Sequence, residues 1–467
     1  MKKNMKKSLF FILLAFGSAL FYISFLLVTG CGDIGVPDAT TTTQGGTTTT
    51  TTTQSGTTTT TTTSTTNTTT HNYINDHNSY LQTSIPKPSV NNSYVEPVFG
   101  TSVMRLTNAL SIGKSGVVPE YSKRQAWNCD ESLMLLRAGS GEVLLYNGST
   151  YQFQKELGTI GGDNIFWHPT DPSLLYYFLD NVFYSFNVDS ELPTILHTFD
   201  AYAIIGMRAE GNISNNGRYC ALVGQDVAGD PKALLTYDII SNEVISMETF
   251  PVTIESFDWV SISPKGNYVV VDYADEVTGN YHGVEVYDRS FNRLWQKPLG
   301  AAHSDLGIDA NGDEVLIMGF YDSGTNSEFI KKFLLSDGTE TNLLEFSYLF
   351  DYHISCRNEQ RPGWCFISTF DYVGRLTDKA DNPALDWLPF EDEVFALKMD
   401  GSGKVERYAH HHSRRYSPIT PDSDTSVYIS EPHATISRHA DRILFGSNWR
   451  ENVSFESSVD TYVIDLR

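Results

Sequence analysis

The chain has 467 residues, with 56 acidic against 33 basic side chains and a formal net charge of −23. Sequence-independent nucleic-acid binding needs phosphate neutralisation by Lys and Arg, so this balance disfavours it, together with broad adhesion to polyanions, while leaving room for a local basic pocket. Aromatic residues make up 12% of the chain, which suits a packed all-β core.

The N-terminus reads as an export signal. Lys2, Lys3, Lys6 and Lys7 form a positive start, and Leu9 to Val28 is almost wholly apolar. The following Leu27-Val28-Thr29-Gly30-Cys31 resembles the lipobox of bacterial lipoproteins. The resemblance implies a signal over residues 1–30, lipidation at Cys31 and a lipid anchor in the cell envelope, outer membrane or cell surface, facing away from the cytoplasm. The alternative is a plain transmembrane anchor, since the apolar run is long enough to span a bilayer. Loss of the first 30 residues removes four cations and no acid, leaving 29 basic against 56 acidic residues and a net charge of −27. Residues 39 to 70 are nearly all Thr, with Gln, Gly, Ser and Asn. No core can form from such a composition, and crowded β-branched residues favour extended backbone. Residues 31–92 are therefore expected to be a linker and disordered stalk.

The folded part is expected over 93–467, and it repeats. Turn-opening residues recur at Asn128, His168, Ser214, Ser263, Asp309, Arg357 and Ser437, with intervals of 40, 46, 49, 46, 48 and 80 residues. Copies such as Ser263-Pro264-Lys265-Gly266-Asn267-Tyr268-Val269-Val270-Val271 pair turn chemistry with a β-branched run. A period of ~40–50 residues is that of a four-stranded propeller blade. The expected fold is an all-β, seven-bladed β-propeller, with a β-sandwich of similar hairpins as the alternative. The last copy has strands at His433–Ser437, Arg442–Asn448 and Ser458–Leu466 but no fourth. The N-terminal strand Val98–Asn108 is expected to supply it and close the ring, removing exposed edges. No long amphipathic helix appears; the helical turns most expected lie in the insertion near Asp378–Trp387.

In a propeller the first strand of each blade lines the central channel, and equal offsets from the anchors form rings. Four positions before the anchors stand Arg124, Asn164, Glu210, Trp259, Asp305, His353 and His433; six positions before them stand Ser122, Gly162, Arg208, Phe257, His303, Asp351 and Glu431. Positions two apart on a strand share a side. One channel mouth is thus expected to collect the three histidines with Asp305, Asp351, Glu431, Glu210, Arg124 and Arg208, and Glu210, Asp305 and Trp259 are candidate ligand contacts. His410-His411-His412 ends the sixth copy and begins the loop toward Glu431, which places His411 as a candidate contact over the same mouth. The bland reading is that these polar groups merely hydrate a channel. Equal offsets on adjacent blades bring His353 and His433 face to face, so a shared divalent ion, Mn or Zn, is expected there with Glu431 or His303 as further ligand. Cys356 and Cys365 flank the turn of the sixth copy on strands that should pair, and a disulfide is expected between them.

With these residues placed, the domain resembles the seven-bladed propellers of oligogalacturonate lyases and TolB-type repeats. The likeness is carried by Glu431-Pro432-His433-Ala434 and Leu444-Phe445-Gly446-Ser447 and spans most of 93–467. By position, the resemblance implies His353 and His433 as metal ligands and His303 as the catalytic base. Glu431 stands where that family has another histidine, and Asp272–Tyr287 lacks its arginine; Arg208 or Arg124 would substitute. Two activities remain open. One is a tethered module that binds a glycan or an envelope or extracellular protein at the channel mouth, as a monomer and without nucleic acid. The other is a metal-assisted lyase acting on uronate oligosaccharides.

Overall fold

The computed structural model turns the alternation of strand-forming runs and turn chemistry into seven antiparallel sheets, arranged as a β-propeller. It describes residues 72–467 except 159, 161–163, 209, 255, 276–277, 323, 326, 348–349, 372–386, 414–427 and 450–458. Blades 1 to 6 are four-stranded and follow in order over residues 117–156, 165–198, 204–249, 259–297, 305–347 and 350–410. Blade 7 takes Thr435–Ile436, Arg442–Ser447 and Asp460–Asp465 from the end of the chain. Its fourth and fifth strands, Ser102–Arg105 and Ser93–Val95, come from the beginning. Among the described residues helix is limited to short 3-10 turns, and none is long and apolar enough to cross a membrane.

The repeat anchors shape the hairpin between the first two strands of each blade. The Ser263 hydroxyl accepts the N–H groups of Asn267 (3.1 Å) and Tyr268 (2.9 Å), and Gly266 takes φ +79° to close the turn. Asp309 does the same for Asn311 and Asp313, at 2.9 and 3.0 Å. Ser214 accepts from Tyr219, Ser437 from Asp441 and Arg442, Asn128 from Leu133, and the His168 ring from Asp171. A side-chain acceptor is needed at this point because the turn leaves backbone donors buried without ladder partners. The exception is Arg357. There the neighbouring Asn358 ties the turn, donating to the carbonyls of Arg361 and Trp364, and Arg357 is released for an ion pair.

Apolar faces of successive blades pack against each other. Val315 and Ile317 of blade 5 meet Ile354 and Ile367 of blade 6; Phe366 and Val394 of blade 6 meet Ile436 and Phe445 of blade 7. Leu444 and Val463 of blade 7 meet Val117, Trp127 and Met134 of blade 1, which completes the circle. The N-terminal closing strand pairs as expected, with Ser102 opposite Asp465 and Arg105 opposite Tyr462. Asp460, fully buried, anchors this closure. Its carboxylate accepts from Arg105 (2.8 Å), Thr107 (3.2 Å) and the Ala109 N–H (2.8 Å), and pairs with Lys87 (3.0 Å).

Two expectations need correction. The stalk was expected to stay disordered to residue 92, but residues 72–92 pack on the propeller. Ile74 bridges Arg407, Tyr73 stacks edge-on against Tyr408, and the Arg407 guanidinium donates to the Asn78 carbonyl at 2.6 Å. Arg407 is fully buried, forked onto Glu393 and sandwiched among Tyr80, Phe99 and Phe390. The polar, irregular sequence hid this because the apolar partners are scattered single residues. The Cys356–Cys365 disulfide is also not formed; both are thiols. The Cys365 thiol is directed at the Leu397 carbonyl (3.6 Å), and burial raises the pKa of both, which disfavours the reactive thiolate. The signal, Cys31, the Thr tract and all of Asp378–Trp387 but Trp387 lie outside the described residues.

Removing one partner from a buried ion cluster strands the others. Asp460→Ala is expected to lower unfolding free energy by about 3 kcal/mol or more in urea titrations. Lys232→Ala, which removes the half-exposed partner of Asp226, is expected to leave the unfolding midpoint essentially where it is in wild type.

Candidate metal centre

Three blades deliver the histidines. His353 lies on the first strand of blade 6, Phe350–Ser355, with Asp351 two positions before it. His303 precedes the first strand of blade 5, Asp305–Ile308, and Glu431 and His433 precede Thr435–Ile436 of blade 7. His303 and His433 take φ +61° and +41°, a left-handed backbone uncommon for non-glycine residues and concentrated at functional sites. Hydroxyls hold the blade 6 and blade 7 segments in register. Ser368, paired directly opposite His353, accepts the Ala434 N–H at 3.2 Å; Ser355 accepts that of Ile436 at 3.4 Å. The Pro432 carbonyl, between Glu431 and His433, accepts from Gly446 at 2.8 Å.

The result is a compact donor set. His353 Nε2 and His433 Nε2 stand 3.5 and 3.6 Å from Glu431 Oε2. One ligand atom from each of the three lies within 4.8 Å of the others, and all three residues are buried. Atoms bound at ~2.0–2.2 Å to one ion lie at most ~4.4 Å apart, so these donors close on a single ion with little movement. Two imidazole nitrogens and a carboxylate suit a Zn- or Mn-like divalent cation. Tyr121 (rings 5.4 and 5.2 Å from His353 and His433) and Phe370 (5.1 Å from His353) wall the site. Such an apolar shell limits water access.

His303 stacks on His353 at 4.5 Å and places Nδ1 3.1 Å from Asp351 Oδ1. These two are the partly exposed edge of the cluster, with side chains 22% and 24% accessible. Burial pulls the His303 pKa down, but the carboxylates of Asp351, Glu431 and Glu210 outweigh it and hold it at about 9.

The other expected site residues divide. Arg124 is buried, donating to the Gly211 carbonyl and to Asn212 (3.3 Å) and lying over Phe166, and burial lowers its pKa to about 10. Arg208 donates to Gln225 (3.1 Å) and the Phe257 carbonyl (3.2 Å). Neither arginine is drawn to His303. Asp305 is not at the mouth either: its oxygens accept from Arg357 at 2.8 and 3.1 Å and from the Cys356 N–H at 2.6 Å. The rule that offsets of two share a side fails here because His303 lies before the strand, on left-handed backbone, while Asp305 begins it. His411 sits just past the last strand of blade 6, fully buried rather than on a rim. Its Nε2 faces the Thr369 carbonyl at 2.8 Å, and burial lowers its pKa to about 3.

Glu210 and Trp259 do meet, around a residue the offsets passed over. Lys123 Nζ is 2.5 Å from Glu210 Oε2 and 4.4 Å above the Trp259 ring. The rings of offsets four and six took Arg124 and Ser122 and skipped the lysine between them; the one available signal was the adjacency of Tyr121, Lys123 and Arg124 in the first copy. Beside Trp259, Asp258 has its pKa pushed up to about 6 by burial and by Glu210.

No family model and no curated protein sequence matches this chain. Among solved structures it is similar to an oligogalacturonate lyase in complex with manganese (TM-score 0.55, 15% identity, covering 80% of this chain and 96% of that one). It is similar also to an oligogalacturonate lyase from Vibrio parahaemolyticus (TM-score 0.56, 14% identity, 80% and 96% covered). At this identity the likeness establishes the propeller fold.

Outer hydrogen bonds orient metal ligands. Calorimetric titration with Mn²⁺ is expected to show affinity at least about 10-fold weaker in Ser368→Ala, which frees the Ala434 N–H, and a larger loss in His433→Ala.

Proposed function

We propose that this propeller binds a divalent cation on His353, Glu431 and His433 and uses it as a lyase on uronate-containing saccharides. The observation that carries the reading is the convergence of those three donors with His303 stacked against one of them. The likeness to a manganese-complexed lyase of the same fold supports it. In β-elimination the carbon beside the uronate carboxylate loses a proton, its electron pair forms a carbon–carbon double bond, and the glycosidic C–O bond at the next carbon breaks, the leaving oxygen taking a proton from water to depart as a hydroxyl. A bound cation would neutralise that carboxylate and make the adjacent C–H more acidic. His303 is the base. Asp351 accepts at Nδ1, which fixes the tautomer and leaves Nε2 to take the proton once the ring is neutral. The partly exposed edge formed by His303 and Asp351 is where a saccharide reaches the buried donors. On its N-terminal features we propose that the protein works outside the cytoplasm, held to the cell envelope by lipid on Cys31.

A second reading has its own observation. Arg124 and Arg208, the cations expected to assist the reaction, are both engaged away from His303, as suits a propeller that grips an acidic glycan without chemistry.

The full chain, supplied with Mn²⁺ and a galacturonate oligosaccharide, is expected to generate the ultraviolet absorbance of an unsaturated uronate. His303→Ala is expected to lower that rate by about 10²–10⁴-fold while retaining the metal. Saccharide retention with no absorbance establishes the second reading, and a wild-type chain that takes up neither metal nor saccharide overturns both.

A further inference from the structure

We infer that Lys123 is the receptor for a saccharide carboxylate in the channel, in a subsite built with Trp259 and gated by Glu210. The inference rests on the uronate reading above and names the cation that reading lacks.

Lys123 is only 2% exposed, a rare state for a lysine, since burying an ammonium is costly unless its donors are used. An ammonium carries three N–H donors. Its side chain meets one carboxylate oxygen, from Glu210, and the face of Trp259. That leaves donor capacity with no acceptor among the described residues. Further buried donors lie in the same inner segments of the blades. The Trp259 indole N–H, 1% exposed, and the hydroxyls of Ser122 and Ser304, both fully buried, have no hydrogen-bond partner among the described residues. Ser122 precedes Lys123 in the chain and Ser304 follows His303. Unused buried polar groups of this kind cost stability, and a ligand rich in hydroxyls and carboxylates would satisfy them.

The subsite lies close to the metal donors. Tyr121, two residues before Lys123, packs against the rings of both His353 and His433. Glu210, the partner of Lys123, contributes to the field on His303. Glu210 itself is partly exposed, with 20% of its side chain accessible, so an incoming carboxylate meets it at the opening and competes with it for the ammonium. In a chain this acidic a buried ammonium with donors to spare gives the channel its selectivity: an acid is admitted where it replaces a carboxylate, and a neutral sugar gains nothing from the exchange.

The test is titration of the full chain, loaded with Mn²⁺, with a galacturonate trisaccharide and with its methyl ester. Lys123→Gln is expected to weaken binding of the acid by about 10- to 100-fold, as loss of a charge-assisted hydrogen bond does, leave the ester unchanged, and leave Mn²⁺ affinity as in wild type. Lys123→Arg is expected to recover most of the loss. Glu210→Gln, which removes the competing carboxylate, is expected to tighten binding of the acid about 3-fold or more, an effect that a purely structural ion pair does not produce. Equal binding of the acid by wild type, Lys123→Gln and Glu210→Gln overturns the inference and leaves the uronate reading standing. A wild-type chain that binds Mn²⁺ but neither acid nor ester overturns both.

Discussion

The ring must close, and closure depends on one buried carboxylate. Asp460 joins the last strand of the chain to Arg105, Thr107, Ala109 and Lys87, residues more than 350 positions earlier. Without that junction blade 7 is a three-stranded sheet with an open edge. Blade 7 carries Glu431 and His433, blade 6 carries His353, and blade 1 carries Tyr121 and Lys123. The metal donors and their aromatic wall are therefore assembled across the seam where the circle is completed. An ion bridging blades 6 and 7 would in turn favour the closed state, because anything that binds only the folded form stabilises it by mass action.

The architecture was legible because it rests on local chemistry repeated many times. A polar side chain opening a turn before a largely apolar run is readable seven times, and in six copies that side chain accepts backbone N–H groups of its own turn. The three histidines were legible for the same reason: equal offsets from a repeated turn map onto two neighbouring rings, His353 and His433 on one and His303 on the other. The contacts that departed from the period were not. Asp305 obeys the offset yet is taken by Arg357, which is free to pair because Asn358 relieves it of the turn. Lys123 disobeys the offset and stands in the channel because the inner segment of blade 1 is irregular, with only Val117–Val118 as its regular first strand. Ser368 is invisible to any inner-strand reading, since it lies on the second strand of its blade. The strap of residues 72–92 shows no period at all.

Electrostatics in the channel follow from scarcity. The chain has far fewer cations than anions, and buried cations are committed one by one: Arg407 to Glu393, Arg357 to Asp305, Arg442 to Glu131, Arg124 to the Gly211 carbonyl and the Asn212 side chain. Each satisfies a structural demand, which is why an arginine could not be recruited to His303 from any of them. Lys123 is set apart because the carboxylate it hydrogen-bonds, Glu210, is partly exposed, where exchange costs little. The same scarcity acts on the histidine cluster. The carboxylates of Asp351, Glu431 and Glu210 act together on His303, and an ion held by His353, Glu431 and His433 would oppose them.

The strap also has a mechanical meaning. Chain entering from the Thr-rich side meets the Arg407 clasp on blade 6, at Asp76 and Asn78, some two dozen residues before it becomes the strand that closes blade 7. Tension applied along that entering chain is borne first by the guanidinium, its Glu393 fork and three aromatic rings. The closing strand Ser102–Arg105, and with it the alignment of His433 on His353, lies downstream of that clasp and is shielded from the pull. Pull on the chain ahead of residue 72 would thus be met at the side of the ring, through Arg407, before it reached Lys87 and Asp460 at the seam.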